Sequence, residues 1–550
     1  MWAAGLKLVR DVLGGAGVLR IGVDVGGTNT DAVLMDGRQL VAFDKSPTTA
    51  NVSDGIAAAI RGVLRGDATR PGRVAPQDVV AVMIGTTHFT NAFVERRNLL
   101  PVGVVRIALP AARGVPPLMD WPADFIDAIG RNVHCVRGGY QFDGRINSSL
   151  DELAVRDAAR DMKAKGLRAA AVCGLFSPLN AEMEERAGAI FAEEAPEIAV
   201  TLSNRIGRIG LLQRENAAIM NASLSAMAAN VVAAFSEALS TLAIDAPFFV
   251  SQNDGTLMNA DLVARYPVLT FASGPTNSMR GAAYLSGLSD ALVADIGGTT
   301  TDIGMLSGGF PRESAVSSDI GGVRTNFRMP DILSIGLGGG SVVRFDQDTL
   351  RVGPKSVGYR LPQLARVFGG DTLTASDIAV AAGYAVMGDG ARVADLEPML
   401  VEAGVSEIHR LLAEGVDRMK TSAEPVRLVL VGGGSVLINR DIPGVSEIII
   451  PEAASVANAI GASIAQAGGE VDRVFSYEQL GREGAIAAAT AEAERVAVEA
   501  GAAPGSLRVV DVEELPLAYV PGGAVRLRVK VTGDLKLSAA SEPLLVGVRV

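Results

Sequence analysis

The sequence predicts an α/β protein built from two large domains and a smaller β-rich piece, and three observations support this. The chain has 550 residues, which is too long for a single hydrophobic core. Strand-like apolar segments alternate with helical segments along most of it, a pattern typical of a mostly parallel sheet with helices on its faces. One eight-residue motif occurs twice, at residues 24–31 and 295–302. The predicted domains are 20–205, 206–505 and a β-rich 506–550, after an N-terminal extension, 1–19.

Composition excludes several classes of protein. Hydrophobic residues make up 48% of the chain, charged residues 20%, and the formal net charge is −11. A general affinity for nucleic acid or an anionic membrane is not expected at that charge. The chain contains only two cysteines, Cys135 and Cys173, which predicts a reducing cytoplasm and no disulfide framework. No apolar run reaches the ~18–20 residues that span a bilayer, and residues 1–19 lack the pattern of a signal peptide.

The repeated motif is the strongest functional signal. Its two copies agree at six of eight positions, and each lies between apolar segments, so each predicts a strand, a tight turn and a second strand. A Gly-Gly turn lets backbone N–H groups approach an anion, and threonine hydroxyls add donors. One such turn is common in plain hairpins, whereas two near-identical copies favour phosphate binding. The predicted phosphate ligands are Gly26, Gly27, Thr28, Thr30, Gly297, Gly298, Thr299 and Thr300.

Each copy of the motif begins and ends with an aspartate. Asp24, Asp31, Asp295 and Asp302 are therefore predicted as catalytic residues, with Asp24 and Asp295 holding Mg²⁺, which takes one or two carboxylates and keeps several waters. Asp31 or Asp302 would act on the nucleophile or on a metal. The chain has no P-loop pattern.

Two other glycine-containing turns are candidate ligand contacts. Gly432, Gly433 and Gly434 follow an apolar strand and suit an adenosine contact, the alternative being a tight strand-to-helix turn. Gly85 begins a Gly-Thr-Thr-His turn that leads into a helix, which is either a ligand-binding lip or an ordinary capped turn. The predicted substrate contacts are Thr86, Thr87, His88 and Gly339, and His88 is also a candidate metal ligand.

The segment 210–242 is predicted to be one long helix. Arg214, Glu215 and Asn216 lie near its start, and we interpret them as a solvated turn rather than a site.

The order of these motifs resembles that of the actin, heat-shock-protein and sugar-kinase superfamily of ATPases, in which two duplicated ribonuclease-H-like domains close over ATP in a central cleft. Within it, the sequence is most similar to the hydantoinase A/5-oxoprolinase family, whose members include N-methylhydantoinases and related subunits of acetone-type carboxylases. The matching stretches are 85–87, 90–92, 176–180, 214–216, 221–222, 273–275, 295–302, 331–332, 338–341 and 351–356.

The resemblance implies an ATP-dependent hydrolase of a cyclic amide, such as hydantoin or 5-oxoproline, that activates the amide oxygen by phosphorylation. It implies ATP and Mg²⁺ as cofactors, with a second divalent metal as an option. It also implies a homo- or hetero-oligomer, with a B-type hydantoinase subunit as the candidate partner. Two alternatives stay open: the ATP-using subunit of an acetone-carboxylase-like complex, and a regulatory ATP-binding module without substrate chemistry of its own.

Overall fold

The computed structural model describes residues 18–26, 29–47, 52–65, 74–314, 317–346, 349–518, 520 and 522–537. Nearly all of the predicted N-terminal extension, the predicted phosphate ligands Gly27 and Thr28, and residues 538–550 lie outside these ranges.

The strands of the first half of the chain include the hairpin predicted around the first motif copy. They are β1 (Leu19–Val25), β2 (Asn29–Asp36), β3 (Gln39–Pro47), β4 (Val79–Thr86), β5 (Val102–Leu109), β6 (Asn132–Arg137), β7 (Gly139–Tyr140), β8 (Ile146–Ser148), β9 (Ala169–Gly174), β10 (Ala199–Leu202), β11 (Phe248–Ser251) and β12 (Leu257–Asn259).

The strands of the second half include the second hairpin. They are β13 (Ala291–Ile296), β14 (Thr301–Ser307), β15 (Phe310–Pro311), β16 (Ser318–Ile320), β17 (Val323–Thr325), β18 (Ile332–Ile335), β19 (Ser341–Asp346), β20 (Thr349–Ser356), β21 (Val426–Val431), β22 (Val445–Ile449), β23 (Ala467–Ser476), β24 (Arg508–Pro516) and β25 (Ala524–Gly533).

The α-helices cover the faces of the sheets. They are α1 (Val52–Arg65), α2 (His88–Val94), α3 (Ala123–Ile129), α4 (Glu152–Ala164), α5 (Glu182–Glu194), α6 (Leu211–Ser223), α7 (Ser225–Thr241), α8 (Ala260–Arg265), α9 (Ser273–Ser286), α10 (Leu361–Leu364), α11 (Ala375–Ala381), α12 (Pro398–Met419), α13 (Ala457–Ile464) and α14 (Tyr477–Ala500).

Two sheets carry the two motif copies in the same local arrangement. In the nine-stranded first sheet, with order β24-β25-β23-β12-β11-β4-β1-β2-β3, β1 pairs antiparallel with β2 and parallel with β4. In the second sheet, β13 pairs antiparallel with β14 and parallel with β21. The apolar residues of these strands are buried, as expected for strands covered on both faces. A further parallel sheet, β10-β9-β5-β6, packs against α4 and α5.

Helices α9 and α13 cross each other between the two motif-bearing sheets. Helix α13 packs on β2, and α9 packs on β13 and β21. The crossing is close because glycines face backbone on both sides: a Cβ on Gly281 would overlap the carbonyl oxygen of Ala457, and one on Gly461 would overlap that of Asn277. Glycine at these two positions therefore allows the close contact between the two helices. This crossing fixes the position of one sheet relative to the other.

The C-terminal strands extend the first sheet. β25 pairs with β23 from Ala524 to Gly533, and β24 lies outside β25. The buried face of β25 packs with an alanine stripe of α14. The C-terminal segment is thus β-rich, as expected, and its two strands, β24 and β25, belong to the first sheet. The predicted domain boundaries remain a prediction.

The stretch 210–242 is two helices, since Leu224 interrupts it between α6 and α7. The interpretation of Arg214, Glu215 and Asn216 as a solvated turn is wrong, because all three are buried in α6. Glu215 forms a buried ion pair with Arg106 of β5. The two residues are 109 positions apart, so the local sequence around Glu215 does not indicate this pair. No single helix in the described ranges is long and apolar enough to cross a membrane. In the same ranges, only the bent pair α6–α7, taken together, has the length and composition of a membrane span.

Candidate functional site

The four motif aspartates form two cross-strand pairs. Asp24 lies opposite Asp31 in the β1–β2 ladder, and Asp295 lies opposite Asp302 in the β13–β14 ladder, so each pair shares one face of its hairpin. The turns between them are closed alike: the Gly26 N–H donates to the Asn29 carbonyl at 3.0 Å, and the Gly297 N–H donates to the Thr300 carbonyl at 2.9 Å. The predicted strand–turn–strand structure is therefore present in both copies.

Asp24 is buried among other acids. The side-chain amide of Asn458, from α13, donates to its Oδ2 at 2.8 Å, while Oδ1 has no hydrogen-bond partner among the described residues. Burial raises the pKa of Asp24 to about 7; the nearby carboxylates of Asp31 and Asp295 add to this effect and Asn458 opposes it. The two motif copies therefore lie close enough to interact electrostatically, which their separation in sequence could not establish.

Lys45 joins the first carboxylate pair to the other half of the chain. Its Nζ donates to Asp31 Oδ2 at 2.7 Å and to the carbonyl oxygen of Ser455 at 2.8 Å. Its charge also lowers the pKa of Asp295 against the stronger effect of burial. The sequence prediction missed Lys45, because its place on β3 becomes meaningful only once β3 lies beside β2.

The second carboxylate pair is held by hydroxyl groups. Ser278, on α9, donates to Asp295 Oδ2, and Ser334, on β18, donates to Asp302. Burial raises the pKa of both carboxyls, that of Asp302 to about 6, with Asp295 adding to the shift of Asp302. Ser278 was also missed from the sequence, as was its neighbour Asn277, whose buried amide lies against Gly85 beside Asp24 and opposes the rise of the Asp24 pKa.

The glycine turns after β4 and β21 occupy equivalent places beside the two hairpins. A Cβ on Gly85 would lie 2.5 Å from Asp24 Oδ1, and one on Gly432, whose φ is +84°, would overlap Asp295 Oδ1. Gly434 donates its N–H to the Ile296 carbonyl at 2.7 Å. A Cβ on Gly433 would meet no described atom within 4 Å. Of the three glycines predicted to contact adenosine, Gly432 and Gly434 thus pack against the hairpin and Gly433 faces open space.

The loop containing Gly339 supports the second Gly-Gly turn through backbone hydrogen bonds. The Gly339 N–H donates to the Gly297 carbonyl at 3.0 Å, and that of Gly340 to the Gly298 carbonyl at 2.7 Å. The carbonyl oxygen of Gly339 accepts from Ser376 Oγ at 2.9 Å. Both backbone polar groups of Gly339 are therefore already bonded, and its role toward a substrate remains a prediction.

The predicted lip of Thr86, Thr87 and His88 runs from the last residue of β4 to the first residue of α2. Ser273, at the start of α9, donates its hydroxyl to the Thr86 carbonyl at 2.8 Å, and the His88 N–H donates to Thr86 Oγ1 at 3.2 Å. Burial, with a smaller effect of Arg97, lowers the pKa of His88, which favours a neutral imidazole. The lip is thus attached to the helix that also carries Asn277 and Ser278.

The site fits a cation that is shared with phosphate. Among the described residues there is no group of three or more His, Cys, Asp or Glu that could hold a metal ion, so Asp24, Asp295 and His88 do not form a metal trio. Mg²⁺, however, needs only one or two carboxylates when phosphates and waters complete its shell. The unbonded Oδ1 of Asp24 and the raised pKa values of Asp24 and Asp295 mark uncompensated negative charge that a cation would neutralise.

Comparison with protein families gives two matches. The model described as the hydantoinase/oxoprolinase N-terminal region matches residues 20–195, and the model described as hydantoinase/oxoprolinase matches residues 214–389. Together they cover more than half of the chain, including both motif copies at 24–31 and 295–302.

Among curated proteins, the caprolactamase subunit alpha of Pseudomonas jessenii is 27% identical over 419 residues, 72% of this chain. The acetophenone carboxylase gamma subunit of Aromatoleum aromaticum is 28% identical over 396 residues, 66% of this chain. The chain spans only 58% and 53% of the length of these two relatives.

Two solved structures share the fold. The ATP-dependent caprolactamase from Pseudomonas jessenii has a TM-score of 0.74 at 20% identity, covering 96% of this chain and 90% of that one. Nucleotide-free acetone carboxylase has a TM-score of 0.64 at 19% identity, covering 94% and 88%. The predicted fold class, α/β with duplicated actin-like ATPase domains, is confirmed by these likenesses.

Proposed function

Because the chain belongs to the hydantoinase/oxoprolinase family, we propose that it is an ATP-dependent hydrolase of a cyclic amide such as hydantoin, 5-oxoproline or a similar lactam or imide. One observation carries the proposal: two carboxylate pairs, each at a Gly-Gly turn, lie close to each other. They are close enough that Asp31 and Asp295 both raise the pKa of Asp24. A triphosphate with a bound cation is the ligand that such a pair of turns suits best.

The chemistry addresses the stability of the amide. Resonance makes an amide carbon a poor electrophile. Transfer of the γ-phosphoryl group to the amide oxygen gives ADP and an activated carbon. A first water adds to that carbon and the ring C–N bond breaks, which releases the ring nitrogen with a proton and leaves an acyl phosphate. A second water then adds to the acyl carbon, and the C–O bond to phosphate breaks to give phosphate and a carboxylate. The products are ADP, phosphate and an open-chain amino acid or its ureido equivalent. The protein's part in such a transfer is positioning and neutralisation of charge.

Roles for the named residues follow from their surroundings. Backbone N–H groups of the turns at Gly26 and Gly297 would bind phosphate oxygens. Asp24 and Asp295 would hold Mg²⁺, which supplies positive charge on the phosphates when bound. Asp302, with its pKa raised to about 6, would accept a proton from the attacking water. Lys45 would hold Asp31 in place through its hydrogen bonds to Asp31 and to the Ser455 carbonyl.

The test is ADP release with Mg²⁺, measured alone and with hydantoin, 5-oxoproline or ε-caprolactam. We expect at least one of the three to stimulate ADP release. Asp24→Asn and Asp295→Asn should each lower the stimulated rate by at least about a hundredfold, since they remove charge stabilisation of the transferring phosphoryl group. Asp36→Asn is the matched control, because Asp36 lies on the same hairpin but is exposed. Turnover of ATP that no lactam or imide changes would count against the proposal.

A second candidate is the ATP-using subunit of a carboxylase complex, favoured by the likeness to an acetophenone carboxylase subunit. In that case a ketone such as acetone or acetophenone, rather than a lactam, would stimulate ADP release, and the full reaction would need a partner chain. If neither class of compound changed ATP turnover, a regulatory ATP-binding module would be the better description.

A further inference from the structure

One short segment of helix α9 contacts both motif copies. Asn277 and Ser278 are consecutive residues of this helix, and both are buried. Successive residues of an α-helix point about 100° apart, so two neighbouring side chains can reach different strands. The amide of Asn277 lies beside Asp24 of β1, and the hydroxyl of Ser278 donates to Asp295 Oδ2 of β13. The same helical segment therefore contacts the first aspartate of both hairpins.

The contact between Asn277 and Asp24 is close because the residue beside them is a glycine. A Cβ on Gly85 would lie 2.3 Å from Asn277 Nδ2 and 2.5 Å from Asp24 Oδ1. The amides of Asn458 and Asn277 both oppose the rise in the pKa of Asp24 that burial causes, as expected when the donor side of an amide faces a carboxylate. Asp24 is thus flanked by amides from two helices, α9 and α13.

Asp295 is held by a hydroxyl group from the same helix. Burial raises the pKa of Asp295, and the hydrogen bond from Ser278 opposes this rise more strongly than the charge of Lys45 does. A donor to a carboxylate favours its charged form, which is the form that binds a cation. Asn277 and Ser278 therefore act in the same sense on two different carboxylates.

Helix α9 is fixed on either side of these two residues. At the start of the helix, Ser273 Oγ donates to the Thr86 carbonyl at 2.8 Å and accepts from the Thr86 N–H at 3.1 Å. Further along, Gly281 packs directly against the carbonyl group of Ala457 on α13. Because successive Cα atoms are only about 3.8 Å apart, a helix anchored in this way fixes the spacing of its two side chains.

We propose that Asn277 and Ser278 are positioning residues that hold Asp24 and Asp295 in the orientation in which both bind one divalent cation. The inference rests on the proposed function, which assigns Mg²⁺ to these two carboxylates, and it adds the groups that orient them. Mg²⁺ requires near-ideal octahedral geometry, so a small displacement of either carboxylate weakens its binding. Neither positioning residue needs to touch the cation or the amide substrate.

Binding of Mn²⁺, which takes the same oxygen ligands as Mg²⁺ and is visible by electron paramagnetic resonance, tests the proposal. The full chain is saturated with a non-hydrolysable ATP analogue and titrated with Mn²⁺. Asn277→Ala and Ser278→Ala should each raise the Kd for Mn²⁺ about tenfold or more, the usual effect of losing a group that orients a metal ligand. Ser278→Thr keeps the hydroxyl and should bind Mn²⁺ as the wild type does.

Ser463→Ala is the matched control. Ser463 lies on α13 at the same helix crossing and is 1% exposed, against 2% for Ser278. Its hydroxyl donates to the Ile460 carbonyl of its own helix at 2.6 Å, so its loss should leave the Kd for Mn²⁺ unchanged.

Thermal unfolding of each variant checks the fold. Asn277→Leu and Ser278→Cys keep the side-chain size without a strong donor, and they replace any alanine variant that does not fold.

The outcomes separate the positioning role from the proposed function. A wild-type Kd for Mn²⁺ in folded variants of Asn277 or Ser278, or equal weakening by Ser463→Ala, would overturn the positioning role. The proposed function would still stand if a lactam stimulates ADP release. If no lactam or imide stimulates ADP release but both positions weaken Mn²⁺ binding, the proposed function fails and the positioning role stands. A nucleotide-loaded wild type that binds no Mn²⁺ would also overturn the positioning role.

Discussion

The two hairpins have nearly the same sequence but different surroundings. At the first, Asp31 pairs with the cation Lys45, and Asp24 is bonded to Asn458 of α13. At the second, hydroxyls of Ser278 and Ser334 bond the two acids, and the 338–340 loop holds the turn through backbone hydrogen bonds.

The two copies of the motif therefore differ in which groups hold their carboxylates and turns in place. The second turn is held by backbone hydrogen bonds from the 338–340 loop, which belongs to the same half of the chain. The first pair is instead linked by Lys45 to Ser455, a residue that precedes α13 in the second half of the chain. We therefore expect changes at the second hairpin to act mainly through local geometry, and changes at the first to act mainly through charge and through the link between the halves.

The largest effect is expected from glycine substitutions beside the second hairpin. Gly432→Ala would place a Cβ onto Asp295 Oδ1 at a φ of +84°, whereas Gly433→Ala meets open space. Gly432→Ala should lower lactam-stimulated ADP release at least about a hundredfold, because it displaces a charge-stabilising group. Gly433→Ala should keep the fold and raise only the KM for ATP if adenosine lies over this turn. Equal loss in both variants would argue against a geometric role for Gly432.

A smaller effect is expected at the first hairpin from Lys45→Met, which keeps length but removes charge. It leaves Asp31 without its cation and breaks the bond to Ser455. ADP release should fall by about tenfold or more, since one partner of a half-buried charge pair is lost. Lys163→Met provides the comparison, because the Lys163–Glu197 pair is exposed and should contribute little. A Lys45→Met enzyme with wild-type kcat and KM would exclude the proposed bridging role.

The smallest effect concerns stability against pH, and it distinguishes the two hairpins directly. A carboxyl whose pKa is raised on folding contributes stability that is present below its unfolded pKa of about 4 and is lost as the pH rises through its folded pKa. That folded value is about 7 for Asp24 and about 6 for Asp302. In nucleotide-free protein treated with chelator, Asp24→Asn and Asp302→Asn should each unfold at a higher Tm than wild type at pH 8.

The gain in Tm should be about 2–4 °C or more for each variant and should shrink as the pH is lowered. It should begin to shrink as the pH falls below about 7 for Asp24→Asn and below about 6 for Asp302→Asn, and it should disappear for both near the unfolded pKa of about 4, as followed by calorimetry from pH 4 to pH 8. The exposed Asp36→Asn serves as the control and should show no such trend. Identical pH profiles for the two variants would mean that the two carboxyls share one environment.

Local features of the site were predictable from the sequence. The spacing of Asp24 and Asp31 around a Gly-Gly turn is enough to place them opposite each other once a hairpin forms, because cross-strand partners are set by turn length. The same holds for Asp295 and Asp302. Burial was harder to predict: Arg214, Glu215 and Asn216 are polar, yet they lie in the core because Arg106 and backbone carbonyls of distant segments bond them.

The sequence by itself determined the repeated hairpins, the alternation of strands and helices, and hence the family and the fold class. Only the tertiary structure decided what surrounds the hairpins: Asn277 and Ser278 from α9, Asn458 from α13, and Lys45 from β3. The reason is physical. The conformation of a turn depends on a few neighbouring residues, so the local sequence predicts it. The pKa of a buried carboxyl depends instead on which helices cross beside it, and that crossing is set by packing across the whole chain.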